Sequence, residues 1–295
     1  MEKNINKYIN QIICGDCVEI LKEIPDNSFH LVITSPPYSN LKHYSDLKDD
    51  LGNLDIYSQI PIFENVFREI YRILQAGRKF ILFFCDIPIK KDGTYFIESP
   101  TYLLIPKILN LGFNIKNIFI WRKRGSFSVW GNSGTLPYPP SPVIQSYFEY
   151  IFVFCKIGQP NYSHITKEIK QRSLIPVKDI MKFSGVLDFV NSNYLKKIHP
   201  AIFPEELIRN LIMLYSFVSE NVLDPFAGIG TVGIAAKQLE RNYTLIELNP
   251  KYVEFFKEKI KSENSIVDKI LERVKILKNS KKSIKEQSIL SDTLF

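Results

Sequence analysis

The fold class that the sequence predicts is α/β, with a sheet covered by helices on both faces. Seven short apolar runs have the length and composition of buried strands. Segments with helical spacing separate most of these runs, and such alternation is typical of a doubly wound sheet. The seven runs are QIIC (11–14), HLVI (30–33), KFILFFC (79–85), NIKNIFIW (114–121), FEYIFVFC (148–155), NVLD (221–224) and NYTLIE (242–247).

Helices are predicted between the strands from their periodicity and their ends. The segment YSQIPIFENVFREIYRIL (57–74) has apolar residues at helical spacing and ends near Gly77. The segment PEELIRNLIMLYS (204–216) opens with a proline and two glutamates, which helix N-termini prefer. The segments IGTVGIAAKQLE and NPKYVEFFKEKIKSE complete the set.

Irregular stretches interrupt this pattern, and a tail follows it. Long irregular segments inside a compact domain are usually functional or mobile. They are residues 39–55, 123–145 and 156–200. In the tail, four apolar residues between 263 and 285 share one helical stripe, which predicts an amphipathic helix packed on the body. We therefore predict a body of residues 1–262 and a basic helical tail of residues 263–295.

The composition indicates a soluble cytoplasmic protein. The hydrophobic fraction is 45%, no window approaches the length of a membrane span, and the N-terminus has no secretory apolar segment. Four cysteines are too few for a disulfide framework. The net charge is +7, and residues 251–285 hold 11 Lys/Arg against 5 Asp/Glu. The body is therefore close to neutral, and any basic face must be local, with candidates at 121–125 and 167–197.

The stretch ITSPPYSN (33–40) leaves a predicted strand through two adjacent prolines. Proline donates no backbone hydrogen bond and fixes its own φ, so the strand cannot continue through this corner. One interpretation is a stiff turn with an aromatic cap. The other is a rigid cradle for a planar ligand, formed by Ser35, Pro36, Pro37 and Tyr38.

A second stretch, residues 221–252, reads as a nucleotide-binding βαβ unit. A strand ends at Asp224, a glycine turn with Gly228 and Gly230 follows, and after a helix the next strand ends at Glu247. Together with Gly233 the turn matches G-x-G-x-x-G, so a nicotinamide enzyme has to be considered. In the dinucleotide motif, however, the strand runs directly into the first glycine. Here Asp-Pro-Phe-Ala intervenes, which suits a ligand with a positively charged amino acid part.

Together, the two stretches resemble the amino-group DNA methyltransferases. TSPPY is similar to their catalytic motif, and DPFAGIGTVGIAA is similar to their S-adenosylmethionine motif. The catalytic motif comes first, and Gly228 follows Ser35 by 193 residues, which resembles the permuted beta group. The resemblance covers about residues 11–262. It implies a seven-stranded, mostly parallel, doubly wound sheet with one antiparallel strand, the permuted S-adenosylmethionine-dependent methyltransferase fold with inserted recognition loops.

The resemblance also implies a set of residues that bind S-adenosylmethionine. The block CGDC places Asp16 and Cys17 near the adenine, the block IHPAIF places three residues at the methionine side, and Glu247 is the ribose-binding acid. A redox or metal role for the Cys14-x-x-Cys17 pair is a minor alternative, and no metal site is predicted. The implied cofactor residues are Asp16, Cys17, Thr34, His199, Pro200, Phe203, Asp224, Pro225, Phe226, Ala227, Gly228, Gly230, Thr231, Glu247, Leu248 and Asn249.

The chemistry of methyl transfer explains the corner. An exocyclic amino nitrogen is a poor nucleophile because its lone pair is delocalised into the ring, so acceptors must draw it toward tetrahedral geometry. Ser35 Oγ and the Pro36 carbonyl are the predicted acceptors, and Tyr38 is the predicted stacking face for a flipped base. Family members with serine at this position mostly methylate cytosine N4, which we predict here. Adenine N6 is the alternative.

The predicted partner is double-stranded DNA, in a restriction-modification system with a cognate endonuclease, and a homodimer is left open. The target-recognition segment is predicted at about 156–198, with 39–55 and 123–145 sharing base reading. The rival hypotheses are an RNA methyltransferase, a catalytically inactive DNA-binding protein and a nicotinamide dehydrogenase. The predicted DNA contacts are Arg122, Lys123, Arg124, Trp130, Lys170 and Arg172.

Overall fold

The computed structural model describes the chain in six parts, and a mixed sheet of eight strands runs through them. The parts are residues 4–38, 47, 49–123, 148–176, 183–189 and 203–262. The strands of the large sheet are β1 (Gln11–Cys14), β2 (Phe29–Thr34), β3 (Leu74–Phe84), β6 (Phe113–Arg122), β7 (Phe148–Lys156), β8 (Val186–Leu187), β9 (Asn221–Asp224) and β10 (Asn242–Glu247). Their order across the sheet is β1-β10-β9-β2-β3-β7-β6-β8.

The strand directions confirm the predicted fold class. The strand β7 is antiparallel to β3 and to β6, and the other pairings are parallel. The count differs by one from the predicted seven, because the two-residue strand β8 pairs with the end of β6. The sequence pattern missed β8 because two residues show no periodicity. It also missed a separate hairpin of β4 (Ile87–Lys91) and β5 (Thr94–Glu98).

Helices connect the strands. They are α1 (Cys17–Glu23), α2 (Ile56–Ile73), α3 (Pro100–Asn110), α4 (Lys167–Arg172), α5 (Glu205–Tyr215), α6 (Thr231–Gln238) and α7 (250–262). Asp55 caps the N-terminus of α2, and its carboxylate accepts from the N–H groups of Tyr57 and Ser58. The helix ends at Ile73, and β3 starts at Leu74, five residues earlier than the apolar run predicted.

The core lies between α2, α3 and the middle of the sheet. All six residues of β2 are buried, as expected of a central parallel strand. Buried phenylalanines of α2 pack on the sheet, and the rings of Phe67 and Phe80 lie 5.6 Å apart between centroids. Phe80 also stacks on Phe154 of the antiparallel strand, again at 5.6 Å. This aromatic layer holds β3 and β7 in place beside β2. It therefore also fixes the end of β2, where the Ser-Pro-Pro-Tyr corner begins.

The parallel strands define two edges of the sheet. We call the side of the sheet at which these strands end the carboxyl edge. Ser35 directly follows β2 there, and Asp224 and Glu247 are the last residues of β9 and β10. The register pairs Cys14 of β1 with Glu247, so the turn after β1 reaches the same edge. The opposite, amino edge carries the strand starts. Ligands of open α/β sheets bind at the carboxyl edge.

The chain divides into a unit that ends at Val253 and a second unit that begins at Glu254. The second unit is described as far as residue 262, where α7 ends. The predicted boundary at 262 and the predicted tail helix lie at and beyond the end of the described residues, and both stay predictions. Among the described helices, none combines the length and the apolar character that a membrane span requires.

Candidate active site

Four neighbouring strand ends surround a cleft at the carboxyl edge. The cleft opens to solvent, and the empty space within it and its mouth amounts to about 910 Å³. It brings together thirteen of the residues predicted from the sequence. They are Asp16, Cys17, Ser35, Pro37, Phe203, Pro225, Phe226, Ala227, Gly228, Thr231, Glu247, Leu248 and Asn249.

The other residues predicted for the catalytic corner and for the cofactor fall into two groups. Thr34, Pro36, Tyr38, Asp224 and Gly230 are described, but they lie behind the cleft wall rather than in it. His199 and Pro200 lie outside the described residues, as do most of the predicted recognition segments.

The glycine turn between β9 and α6 forms one wall of the cleft. Gly228 has φ 53° and Gly230 has φ 79°, and both values are strained for residues with a Cβ. The N–H of Gly230 donates to the carbonyl of Ala227 at 2.8 Å, which closes the turn. The residue that precedes α6 is Gly230, which has no side chain with which to cap the helix. The backbone of the turn can therefore approach a ligand closely.

Glu247 holds the turn from the next strand. Its Oε2 accepts from the N–H of Gly228 at 2.7 Å, and its Oε1 accepts from the N–H of Asn249 at 2.8 Å. Burial raises the pKa of the Glu247 carboxyl, and these two backbone bonds oppose the rise. Each carboxylate oxygen keeps a lone pair for a second donor. The arrangement suits the hydroxyl groups of a ribose, the role predicted for this acid.

Asp224 connects the turn to the corner. It is buried, and its Oδ1 accepts from Thr34 Oγ1 at 2.7 Å and from the N–H of Phe226 at 3.1 Å. Burial raises the pKa of Asp224 to about 7, against the effect of these bonds. The expectation that this carboxylate faces the ammonium group of a ligand does not fit this placement. Its described partners are the residue before Ser35 and the loop after β9.

The corner presents one hydroxyl to the cleft. Ser35 is half-buried, and its Oγ donates to the Tyr38 hydroxyl at 3.0 Å. A hydroxyl whose proton is engaged in this way turns its lone pairs to other donors. Pro37 lines the cleft beside it, and Pro36 is buried.

Tyr38 differs from the prediction of an open stacking face. Its side chain is 2% exposed, and its ring lies 5.9 Å from the ring of Phe84 at the end of β3. At this exposure neither face of the Tyr38 ring is open to a base. In the described structure Tyr38 anchors the corner and orients the Ser35 hydroxyl.

The cations predicted at the end of β6 are engaged in ion pairs. Arg122 donates to both carboxylate oxygens of Asp188, at 2.7 and 2.6 Å. Lys123 pairs with Glu149 and lies 5.3 Å from the centroid of the Trp121 ring. Both lie at the carboxyl edge, but contact with a phosphate would compete with these pairs. Arg124 and Trp130 lie outside the described residues.

Lys170 and Arg172 belong to the opposite edge, which corrects their predicted place beside the site. Because β7 is antiparallel, the chain that follows it begins at the amino edge. There α4 is held by an ion pair of Arg172 with Glu240 and by the N–H of Val218, which donates to Ser173 Oγ at 2.9 Å. The residues Val218 and Glu240 precede β9 and β10, respectively. The described start of the predicted recognition segment therefore packs away from the cleft.

The amino edge also gathers a buried ionic network. His30, His164 and Glu220 place ligand-type atoms within 4.8 Å of one another. Glu220, however, is paired with the buried guanidinium of Arg78, and His30 Nδ1 accepts from the N–H of Asn221 at 3.1 Å. A divalent cation would meet a fixed positive charge there, so the group is unsuited to a metal.

The two cysteines for which a redox role was the minor alternative differ in burial. Cys17 is buried in the cleft wall, where burial raises the pKa of its thiol, and Cys14 is exposed with its sulfur 3.8 Å from the carbonyl of Leu248. A raised thiol pKa opposes the thiolate that redox exchange needs.

Sequence reasoning missed part of the cleft. Asp49, Asp50 and Leu51 line it from the loop that was predicted to read bases, and Tyr252 lines it from the start of α7. Asp50 accepts from the N–H of Gly52 at 2.9 Å and caps the short turn Leu51–Asn53. The capping pattern in DDLGN was a usable signal for a fixed turn. Nothing in the pattern indicated which edge of the cleft it reaches.

The fold and the cleft define a nucleotide-binding α/β protein whose cofactor loop is tied to a rigid Ser-Pro-Pro-Tyr corner. The sequence model of the N6/N4 DNA methylase family matches residues 29–258. The chain belongs to this family of DNA methyltransferases, whose methyl donor is S-adenosylmethionine. The rival class of nicotinamide dehydrogenases is thereby excluded.

Relatives resemble the chain over most of its length. The type II methyltransferase M.MjaI of Methanocaldococcus jannaschii is 29% identical, with 85% of this chain and 91% of the relative covered. M.HpaI of Haemophilus parainfluenzae is 28% identical over 95% of this chain and 84% of the relative.

Solved structures agree on the architecture. A Thermus thermophilus protein described as a DNA modification methylase, in complex with S-adenosyl-L-methionine, superimposes with a TM-score of 0.69 at 29% identity, covering 86% of this chain and 94% of that one. PvuII DNA methyltransferase (cytosine-N4-specific) gives 0.61 at 21% identity, covering 82% and 83%. The second likeness concerns the fold.

Proposed function

We propose that this DNA methyltransferase modifies N4 of cytosine in a specific duplex sequence. The observation that carries the proposal is the Ser35 hydroxyl, which lines the cofactor cleft while its proton is engaged by Tyr38. A neutral oxygen acceptor in this position suits an exocyclic amino group, and the choice of cytosine rests on the family resemblance. The resemblance supports the same base, because family members with serine at the start of this motif mostly act on cytosine N4.

The residues of the cleft divide the task. Glu247 and the Gly228 turn hold the nucleoside part of the cofactor, whose sulfonium supplies the methyl group. Ser35 Oγ accepts from the target amino hydrogens, which localises the nitrogen lone pair and aims it along the line of displacement. The Pro36 carbonyl is the second proposed acceptor, and because Pro36 does not line the cleft, this role requires the corner to expose that carbonyl when the base binds. The product ammonium is acidic enough to lose its proton to water, so no base with a shifted pKa is required.

The target cytosine has to leave the duplex to reach this site. Ser35 is half-buried at the bottom of a corner rather than on an open surface. Enzymes that act on such an atom rotate the nucleotide out of the stack into a pocket. Because Tyr38 is buried against Phe84, stacking on its ring would require the corner to open when DNA binds.

Adenine N6 is the second candidate, because a serine hydroxyl has no physical feature that rejects the adenine amino group. We propose a restriction-modification setting with a cognate endonuclease, on the ground that the matched relatives are named type II methyltransferases. A test of this setting is whether DNA modified by the protein resists cleavage by an endonuclease from the same source.

The deciding experiment is methyl transfer to unmethylated plasmid DNA with labelled S-adenosylmethionine, followed by digestion and mass spectrometry of the nucleosides. N4-methylcytosine is expected. N6-methyladenine alone would overturn the base assignment and keep the rest of the mechanism. Label in RNA but not in duplex DNA would overturn the DNA substrate. A Ser35→Ala variant that retains cofactor binding is the matched control for transfer at this corner.

A further inference from the structure

The hairpin formed by β4 and β5 stands next to the catalytic corner. It leaves the sheet directly after Phe84, the residue whose ring contacts Tyr38. The strand β3 that precedes it pairs with β2, with Thr34 opposite Leu82. Adjacent strands lie about 4.8 Å apart, so the base of the hairpin is one strand away from Ser35. Both therefore share the carboxyl edge.

The hairpin is a regular and closed element. Its register runs from Ile87 opposite Glu98 to Lys91 opposite Thr94. Asp92 has φ 49° and Gly93 has φ 79°, the two positive values that a tight two-residue hairpin turn requires. At the base, Ser99 Oγ donates to Asp86 Oδ1 at 2.6 Å. The sequence thus builds a defined ribbon rather than a loose loop.

Both faces of this ribbon reach solvent. Phe96 is 53% exposed and Ile97 is 57% exposed. Consecutive strand residues point to opposite faces, so neither face is fully covered by the protein body. Tyr102, at the start of α3, is 82% exposed nearby in the chain. A two-stranded ribbon is only marginally stable alone in water, so this hairpin would gain stability from contact with a partner.

The tip of the ribbon carries side chains of the types that form hydrogen bonds with base edges in DNA. Lys91, Asp92 and Thr94 are exposed and supply an ammonium, a carboxylate and a hydroxyl. Among the described residues Lys91 forms no ion pair, unlike Arg122 and Lys123 at the same edge. Strands of five residues reach roughly 17 Å from their base, and a major groove about 12 Å wide admits a two-stranded ribbon.

We propose that the β4–β5 hairpin is a DNA-reading ribbon that enters the major groove beside the flipped base. This inference rests on the proposed function, since duplex DNA is the occupant to which it commits. DNA is favoured over a second copy of the chain because any duplex whose base reaches Ser35 must pass this edge, and because the tip is polar and the apolar residues lie on the stem.

The test measures methylation of unmethylated plasmid DNA and maps the modified positions by sequencing. Lys91→Ala and Thr94→Ala change exposed tip side chains and keep the fold. We expect each to lower the rate constant for plasmid DNA at least fivefold or to broaden the set of modified sequences, while the dissociation constant for S-adenosylmethionine stays within twofold. The matched control is Lys167→Ala, an exposed lysine at the start of α4 on the amino edge.

The outcomes separate the two levels of inference. A wild-type protein that binds S-adenosylmethionine and methylates no plasmid DNA would overturn the proposed function itself. Active wild-type protein with tip variants that match Lys167→Ala in rate and in modified sequences would overturn the ribbon alone. A Phe96→Ser variant that converts a dimer into monomers and leaves rate and sites unchanged would also overturn it, in favour of a second copy as occupant.

Discussion

One carboxylate oxygen, Oδ1 of Asp224, receives a hydrogen bond from each of the two motifs. Thr34, which precedes Asp224 by 190 residues, comes from the catalytic corner, and Phe226 comes from the cofactor loop. The side chains of Thr34 and Asp224 are buried, so water does not compete for the bond between them. Asp224 therefore acts on the reaction through the position of its neighbours.

Replacing Thr34 by valine tests this link. Valine keeps the shape and removes the hydroxyl, so Asp224 loses one donor and the corner loses its tie to the cofactor loop. We expect a stability loss of about 1 to 3 kcal/mol and a fall in turnover of roughly tenfold, since small displacements of reacting groups are costly. Thr34→Ser restores the hydroxyl and is the control. If the Thr34→Val variant were less stable but had unchanged turnover, the bond between Thr34 and Asp224 would contribute to stability only and not to catalysis.

The pH dependence of stability should report Asp224 directly. Burial raises its pKa to about 7, above the ordinary value near 4. In the folded state the carboxyl holds a proton that the unfolded chain releases above about pH 4. Its contribution to stability is therefore complete below about pH 4 and is lost as the pH rises through about 7.

Thermal unfolding of wild type and Asp224→Asn between pH 4 and 8 measures this contribution. Asparagine stays neutral and still accepts from both donors. As the pH rises, the Tm of the wild type should fall steadily relative to the Tm of Asp224→Asn. The titration of all other groups is common to both proteins and cancels in this difference. A constant difference across this range would contradict a raised pKa.

Ser35 and Glu247 should separate turnover from cofactor affinity. Ser35→Ala removes an acceptor of the target amino group, so we expect turnover to fall about 100-fold or more while the dissociation constant for S-adenosylmethionine stays within about threefold. Glu247→Gln removes a charged acceptor from the cleft, so the same dissociation constant should rise at least about tenfold. Equilibrium binding measures the affinity for S-adenosylmethionine, and single-turnover kinetics measure the rate of methyl transfer. If each variant lost affinity and rate to the same extent, the separate roles of Ser35 and Glu247 would be contradicted.

Most of the predicted residues that line the cleft lie in the turns that follow β1, β2, β9 and β10, and the sequence pattern shows where those strands end. The unexpected features are those that depend on packing between distant segments. Nothing in SPPY shows that Tyr38 packs on Phe84, and nothing in LDPF shows that Asp224 turns back to Thr34. Spacing along the chain does not encode such partners.

At the scale of elements, the strands β9, β2 and β3 are joined at the amino edge by buried charges. Arg78 of β3 and Glu220 before β9 are 4% and 0% exposed in their side chains, and His30 of β2 lies between their strands. Glu220 also accepts from the N–H of Phe217 at 2.8 Å, and it contacts His164 Nε2 at 3.0 Å. The network ties the insertion after β7 to the sheet.

Removal of the Glu220 carboxylate should therefore lower the stability of the fold and leave the cofactor cleft unchanged. Glu220→Ala leaves the Arg78 guanidinium buried without its counter-ion, and we expect a loss of about 3 to 5 kcal/mol in the free energy of unfolding. Cofactor affinity of the folded protein should not change, since the cleft lies at the other edge. The matched control is Glu23→Ala, which breaks an exposed pair with Lys7 and should cost less than about 1 kcal/mol. Similar losses in both variants would show that the buried pair contributes little.

Elements were predicted well where an apolar pattern was long enough to show a period. The seven main strands and the helices α2, α5, α6 and α7 follow the predicted order. The β4–β5 hairpin was missed because proline and consecutive lysines break its alternation. The helix α4 was expected beside the DNA because its charge is visible in sequence. The edge to which an insertion returns depends on the direction of β7, which charge does not reveal.

At the scale of the whole molecule, the carboxyl edge of the sheet holds the cleft and the amino edge holds the buried ionic network. We therefore expect DNA to lie at the carboxyl edge. The six residues of β10 separate the edges by roughly 20 Å, which is about two and a half Debye lengths at physiological salt. A cation at the amino edge is thus screened from phosphates at the carboxyl edge. We expect DNA binding to weaken with salt, because phosphate contacts release counter-ions.

Charge reversal at each edge tests this division. Lys170→Glu, at the amino edge, should leave the affinity for plasmid DNA within twofold and leave the slope of log affinity against log salt unchanged. Lys91→Glu, at the carboxyl edge, should weaken binding at least about fivefold and reduce the slope by about one unit per lost phosphate contact. Filter binding at four salt concentrations measures both quantities. Equal effects of the two reversals would mean that DNA wraps both edges, and the assignment of the amino edge to stability alone would then be wrong.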